Sequence, residues 1–241
     1  MGAEPLSSSL STPESKRRYV RRLFATIADR YDFITIFLSY GRDRAWKRRV
    51  FELSGAGPGT AALDLACGTG DLTFGLQQRG ASACGLDITE RMVQLARAKR
   101  SGEAPPRFVV GDMMALPFAD ARFDVVTTGY GLRNVPALAG AIDEIRRVLR
   151  SGGTFVSLDF DRPPNHILRA IYLAYLTVVG SALGWVLHRD PDTYRYIPES
   201  IARYPGSVVV AEMFAARGFA DIRVLPVFGG FMAIHVARRA E

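Results

Sequence analysis

Cysteine and histidine are scarce in this chain of 241 residues, which has two of the first and three of the second. Cys67 and Cys84 are too few for a disulfide framework, their spacing matches no zinc-ligand pattern and the histidines are scattered, so no metal site is expected. A reduced, cytoplasmic compartment is the simplest reading of such cysteine usage. The chain opens without an apolar segment: residues 1–14 are small and polar and are expected to form a disordered tail rather than a signal peptide. No helix-turn-helix, zinc finger or aromatic RNA-binding pattern accompanies the basic charge, so nucleic acid is not the expected partner. Long apolar runs are also missing, with one exception from Ile167 to Leu187, interrupted by Arg169. Its length alone would allow a membrane span. Gly180, Ser181 and Gly184 within it, and soluble-looking sequence on either side, favour a buried or interfacial helix.

Hydrophobic residues at 48% and charged residues at 23% suffice for a substantial core, and the length suits one elaborated domain over residues 15–241. The net charge of +7 is concentrated early, in Lys16, Arg17, Arg18, Arg21 and Arg22 and again in Arg42, Arg44, Lys47, Arg48 and Arg49. Such clusters hold acidic substrates or anionic lipid when they are not simply solvated helix faces.

Periodicity gives the architecture. Residues 15–52 are helical in pattern, with Val20, Leu23, Phe24 and Ile27 on one face. Strands are expected at Ala61–Ala66, Ala83–Leu86, Arg107–Val110, Phe123–Thr128 and Thr154–Phe160, the last after a Ser151-Gly152-Gly153 turn. Helices are expected between them at Leu72–Arg79, Glu90–Arg100 (capped by Thr89) and Pro136–Leu149. A further helix and the strands Ile222–Val227 and Phe231–Ala237 finish the chain. This alternation predicts an α/β fold, a Rossmann-like doubly wound sheet with ligands at the strand C-termini. The stretch 163–205 interrupts the alternation and is the expected substrate lid.

Three successive strand ends carry the chemistry. The first runs Leu63-Asp64-Leu65-Ala66-Cys67-Gly68-Thr69-Gly70-Asp71-Leu72, where Gly68 and Gly70 let the backbone approach a ligand. A dinucleotide site needs a third glycine, but Thr73 stands there, and the acidic Asp64 suits an ammonium group better than a pyrophosphate. That combination favours a cationic, phosphate-free nucleoside such as S-adenosylmethionine. At the second strand end Asp87 can accept from both ribose hydroxyls. At the third, after Gly111, Asp112 can accept from an adenine amino group while the Met113 amide faces a ring nitrogen.

The chain resembles the ubiquinone/menaquinone biosynthesis C-methyltransferase family from about Phe24 to Ala237. The resemblance lies in Phe24-Ala25-Thr26-Ile27-Ala28-Asp29-Arg30-Tyr31-Asp32, Leu38-Ser39-Tyr40-Gly41 and Trp46-Lys47-Arg48, and in the Asp64 to Leu72 loop. It continues in Ala115-Leu116-Pro117-Phe118, Gly129-Tyr130-Gly131-Leu132-Arg133-Asn134-Val135, Arg147 to Gly153, Tyr194-Arg195-Tyr196-Ile197 and Glu199-Ser200-Ile201. It implies a class I methyltransferase sheet of seven strands with an antiparallel C-terminal strand. Cofactor contacts are implied at Thr69, Asp87, Asp112, Met113 and Gly129, the last a departure where many relatives have serine. Arg133 and Asn134 are implied to face the substrate, taking or stabilising a phenolic proton, with Asp159, Asp161, His166 and Tyr172 as competing bases.

The implied substrate is a prenylated hydroquinone, whose ring carbon attacks the sulfonium methyl once a neighbouring hydroxyl loses its proton. The chemistry asks for reacting atoms about 3 to 3.5 Å apart. Further departures at Thr35, Asp159 and Asp161, the last expected near the pocket mouth, keep open a methyltransferase for another aromatic or lipophilic metabolite. A different class, a non-catalytic nucleotide- or nucleic-acid-binding protein, is motivated only by the charge. Because the substrate's tail lives in a bilayer, the basic N-terminal helices are expected to touch anionic membrane at its inner face. A homo-oligomer is left open.

Overall fold

The computed structural model describes residue 6 and residues 10–100, 105–163 and 165–241. Among these residues seven strands form one sheet: β1 (Ala61–Leu65), β2 (Ser82–Asp87), β3 (Arg107–Val110), β4 (Phe123–Gly129), β5 (Leu149–Phe160), β6 (Phe219–Val227) and β7 (Met232–Arg239). Their order is β3-β2-β1-β4-β5-β7-β6. The first five run parallel, and β7 lies antiparallel to both β5 and β6. The strand order reverses between β1 and β4, which places a crevice at their C-terminal ends. The fold is the expected Rossmann-like α/β sheet.

The central strands are buried on both faces and are apolar almost throughout. Leu63, Val126 and Phe155 are fully covered by a layer that includes Ile142, Ile145 and Val148 of α6 (Leu138–Val148) and Phe214 of α9 (Ser207–Ala215). On the opposite face Val50 of α3 (Asp43–Ser54) packs with Val156, Leu158 and Ile234. Helices α4 (Asp71–Gln78) and α5 (Glu90–Ala98) connect β1, β2 and β3.

The N-terminal helical stretch is divided. Helix α1 (Pro13–Ile27) starts inside the expected tail, because Thr12 and Ser15 form a capping box over its first turn. Residues 1–5 and 7–9 of the expected tail lie outside the described residues. A short 3₁₀ turn leads into α2 (Tyr31–Leu38), and Tyr40 and Gly41, both at positive φ, turn the chain into α3. The Ser151-Gly152-Gly153 turn is absorbed into a longer β5, with Gly152 at φ 71°.

The segment 163–205 folds as two helices, α7 (His166–His188) and α8 (Tyr196–Arg203), between β5 and α9. Asn165 caps α7 by accepting from the Ile167 and Leu168 amides. Helix α7 is not a core helix: only Leu176, Gly180 and Gly184 are buried. The glycine face lies close on the following loop, where a Cβ on Gly184 would stand 2.4 Å from the Asp190 carbonyl oxygen and one on Gly180 would stand 3.2 Å from the Tyr194 Cβ.

Candidate active site

Two adjoining cavities occupy the crevice. The first lies directly over the strand ends and holds about 680 Å³ of empty space counting its open mouth. Gly68, Asp87, Thr89, Asp112, Met113 and Gly129 line it, with Arg17, Val20 and Phe24 of α1 on the far side. Its floor is built from backbone. After β1 the chain passes through Ala66, Gly68 and Gly70, all at positive φ. A side chain at Gly70 would be strained at φ 94° and would also put its Cβ 2.8 Å from Phe74 and 2.9 Å from Phe108.

Asp87 fastens this loop to the next strand end. One of its carboxylate oxygens accepts from the Gly68 amide at 2.9 Å and the other from the Thr89 amide at 2.8 Å. Burial raises its pKa, and those two amides act against the rise. The Thr89 hydroxyl, expected to cap α5, makes no capping bond and is buried without a hydrogen-bond partner. An orphaned buried hydroxyl beside a carboxylate at the cavity wall fits a polyhydroxylated ligand. Asp112 accepts from the Met114 amide at 2.9 Å, and its other oxygen pairs with Arg17 at 2.8 Å.

Three of the expected cofactor contacts, Asp64, Thr69 and Gly70, lie outside the lining of this cavity. Asp64 is buried under the loop, where its oxygens accept from the Thr73 hydroxyl at 2.7 Å and the Thr127 hydroxyl at 3.1 Å. Burial pushes its pKa up to about 7 against the pull of those hydroxyls. Thr69 is buried and donates to Asp32, which also holds Lys99 at 2.6 Å. Gly129 does line the cavity, and a Cβ there would stand 3.1 Å from Leu72.

The second cavity, about 880 Å³ counting its mouth, is walled by apolar and aromatic side chains. Ile34, Thr35 and Leu38 of α2, Tyr172 and Leu176 of α7, and Tyr194, Tyr196 and Ile197 around α8 enclose it. Arg133 is its one charged lining residue. It is buried, its backbone amide and Nε donate to the two oxygens of Asp159 at 3.0 and 3.3 Å, and its Nη1 donates to the Ser200 hydroxyl. Its guanidinium lies 4.9 Å from the centre of the Phe160 ring. Asn134 turns the other way, into the first cavity, with its amide held between the Tyr130 carbonyl at 2.8 Å and the Tyr196 hydroxyl at 2.9 Å. The expected substrate-facing pair is therefore split between the two cavities.

Phe24, Tyr31 and Tyr130 line both cavities and mark where they meet. Tyr130 has φ 61°, and its hydroxyl donates to the buried Asp43 at 2.7 Å. Asp43 pairs with Lys47 at 2.5 Å, and Lys47 reaches the half-exposed Asp71 at 2.8 Å. Sequence reasoning gave this chain of groups no role, although the family resemblance contains Tyr31, Lys47 and Tyr130. Lys16, in sequence one of the basic cluster, turns inward instead: its ammonium donates to the Arg133 and Val135 carbonyls at 3.1 and 2.6 Å, and burial beside Arg133 lowers its pKa to about 8.

The competing bases fare differently. Asp159 is committed to Arg133 and to the Phe160 amide. Asp161, expected near the pocket mouth, instead caps α9 by accepting from the Ser207 amide and hydroxyl. His166 lines neither cavity and contacts Arg169. Tyr172 does line the second cavity, where burial raises its pKa and keeps the phenol protonated.

The sequence profile of the ubiE/COQ5 methyltransferase family matches residues 12–239. A demethylmenaquinone methyltransferase of Staphylococcus aureus strain JH9 is 33% identical over 231 residues, which is 95% of this chain and 96% of that protein. Among solved structures, the magnesium protoporphyrin IX methyltransferase of Synechocystis PCC 6803, with S-adenosylmethionine bound, superposes with a TM-score of 0.63 at 19% identity, covering 93% of this chain and 97% of that one. A methyltransferase of Haloferax volcanii, solved with the activator Trm112, gives 0.65 at 19% identity over 90% and 98%. With a profile match that runs nearly end to end, the chain belongs to the ubiE/COQ5 methyltransferase family and is an S-adenosylmethionine-dependent methyltransferase.

Proposed function

We propose that this methyltransferase transfers its methyl group to a ring carbon of a prenylated hydroquinone, demethylmenaquinol or a ubiquinol precursor, in respiratory quinone biosynthesis. The observation that carries the reading is the second cavity: a large aromatic and aliphatic chamber with Arg133 as its one charged lining residue among the described residues, adjoining the nucleoside-sized cavity that bears Asp87 and Asp112. Apolar walls suit a prenyl tail, and one fixed cation suits a phenolic oxygen. The curated relative's activity agrees with this assignment.

Asp87, Thr89, Asp112 and the Met113 amide would hold the nucleoside, with Gly68 and Gly129 allowing close approach. When bound, S-adenosylmethionine supplies an electrophilic sulfonium methyl. The residues of the second cavity prepare the acceptor. Arg133, its guanidinium held by Asp159 at Nε and by Ser200 at Nη1, stabilises the phenolate that makes the ring carbon nucleophilic. The proton leaves to water, since the Tyr130 hydroxyl at the cavity junction is itself protonated and donates to Asp43. The enclosing helices exclude bulk water from the reacting atoms.

We place the activity in the cytoplasm, at the inner face of the membrane, where such a substrate resides. A strain lacking the protein should accumulate the demethylated quinone in its lipid extract, and the wild-type chain should reverse the accumulation. An unchanged quinone profile would move the assignment to another aromatic or lipophilic acceptor.

A further inference from the structure

Eleven of the fourteen large hydrophobic side chains exposed on the described surface belong to α2, α7 and Tyr40. They form one face. Phe33 stacks on Phe37, and Tyr40, one turn further on, stacks on and hydrogen-bonds to Tyr175. Along α7, Ile167, Ile171, Val178 and Trp185 recur at helical spacing opposite the buried glycines, with Ile171 61% and Val178 70% exposed. A soluble surface seldom leaves so much apolar area together without a use for it.

We infer that this face is a docking surface for a lipid bilayer, and that the substrate's tail enters the second cavity through it. This rests on the proposed quinol substrate and deepens it. Three observations select a bilayer as the occupant. The cavity opens beside this surface, since Tyr40 and Tyr175 line the one and belong to the other. The helices run antiparallel, with Arg30 bonded to the Leu187 carbonyl at one end and Tyr40 meeting Tyr175 further along, so arginines stand at both ends: Arg30 and Arg189 at one, and exposed Arg42, two residues beyond Tyr40, at the other. Trp185 lies beneath Arg189 at that boundary, the arrangement suited to a headgroup layer above an apolar one.

Although α7 is long and apolar enough to cross a membrane by composition, its glycine face is closed against residues 190–194, so it lies on the surface of the protein. The surface differs from the basic N-terminal face expected from the sequence. Lys16, Arg17 and Lys47 of that cluster are engaged within the protein.

The test is flotation with vesicles of phosphatidylcholine containing phosphatidylglycerol, using the full chain and the variants Val178→Asp and Ile171→Asp at exposed positions. Wild type should float with the vesicles, and each variant should lose partitioning by about tenfold while keeping its melting temperature. With a long-tailed demethylated quinol in vesicles the variants should show raised KM, and with a tail-less naphthoquinol an unchanged kcat/KM. Variants that float as well as wild type would overturn the proposal. So would a wild-type dimer in sedimentation that the same substitutions dissolve, since a second copy would then own the face. Flotation needs neither cofactor nor acceptor, so a failure of the quinol assignment shows separately, as wild type that floats yet methylates neither quinol.

Discussion

The two halves of the site are built by different means. The cofactor half is made of backbone: a glycine-bearing turn after β1, fastened at Gly68 by the Asp87 carboxylate at the end of β2, so that consecutive strand tips fix one another through short bonds. The acceptor half is made of side chains brought from α2, α7, α8 and the loop after β4, and its single cation stays in place only because Asp159 and Ser200 hold it. A site of the first kind depends on its smallest residues and its acceptors. One of the second kind depends on contacts between residues distant in sequence.

Substitutions that break only one half sharpen this contrast. The largest effect is expected from Asp87→Ala, which strands two buried amides at about 1–3 kcal/mol each and should weaken S-adenosylmethionine binding by roughly 100-fold in calorimetry. Next is Arg133→Met. It leaves Asp159 buried and unpaired, a destabilisation of about 3–5 kcal/mol, and should lower kcat by roughly 10²-fold while cofactor affinity moves less than about threefold. Adding Asp159→Leu should restore the melting temperature but not kcat, which separates the chemical role of Arg133 from its structural one.

A smaller effect concerns pH. Burial raises Asp64 from an ordinary 3.8 to about 7, so between those values the folded chain holds a proton that the unfolded chain has released. The stability this contributes is present below about pH 4 and is lost as the pH rises through 7. Asp64→Asn should therefore gain melting temperature relative to wild type as pH climbs from 4 to 7, and hold level above 8. Smallest is Arg17→Ala: its ion pair with Asp112 is more than half exposed on the arginine side, so cofactor affinity should change by less than about threefold.

The same contrast explains what the sequence disclosed. The turn of residues 66–70, Asp87 and Asp112 were legible because each sits at the end of a strand whose apolar pattern is local. Asp64 was identified but its orientation was not, since Thr73 and Thr127, which claim its oxygens, come from α4 and β4. Tyr130 with Asp43, Arg133 with Ser200, and Lys16 with the Arg133 carbonyl join residues 87, 67 and 117 positions apart, and no spacing rule reaches that far. Helix α7 was legible as a buried or interfacial helix, but the choice between the two was not, because its two glycines close one face against a loop that periodicity cannot position.

The account turns on two ligands meeting at Tyr130, one polar and one apolar, with methyl transfer to carbon. Incubation with methyl-deuterated S-adenosylmethionine and demethylmenaquinol, followed by fragmentation of the product, tests that most directly. A trideuteromethyl group should be retained on the ring-bearing fragment through a carbon–carbon bond, and Asp87→Ala should abolish its transfer. Label on a phenolic oxygen, or none from a protein that binds the cofactor, would contradict it.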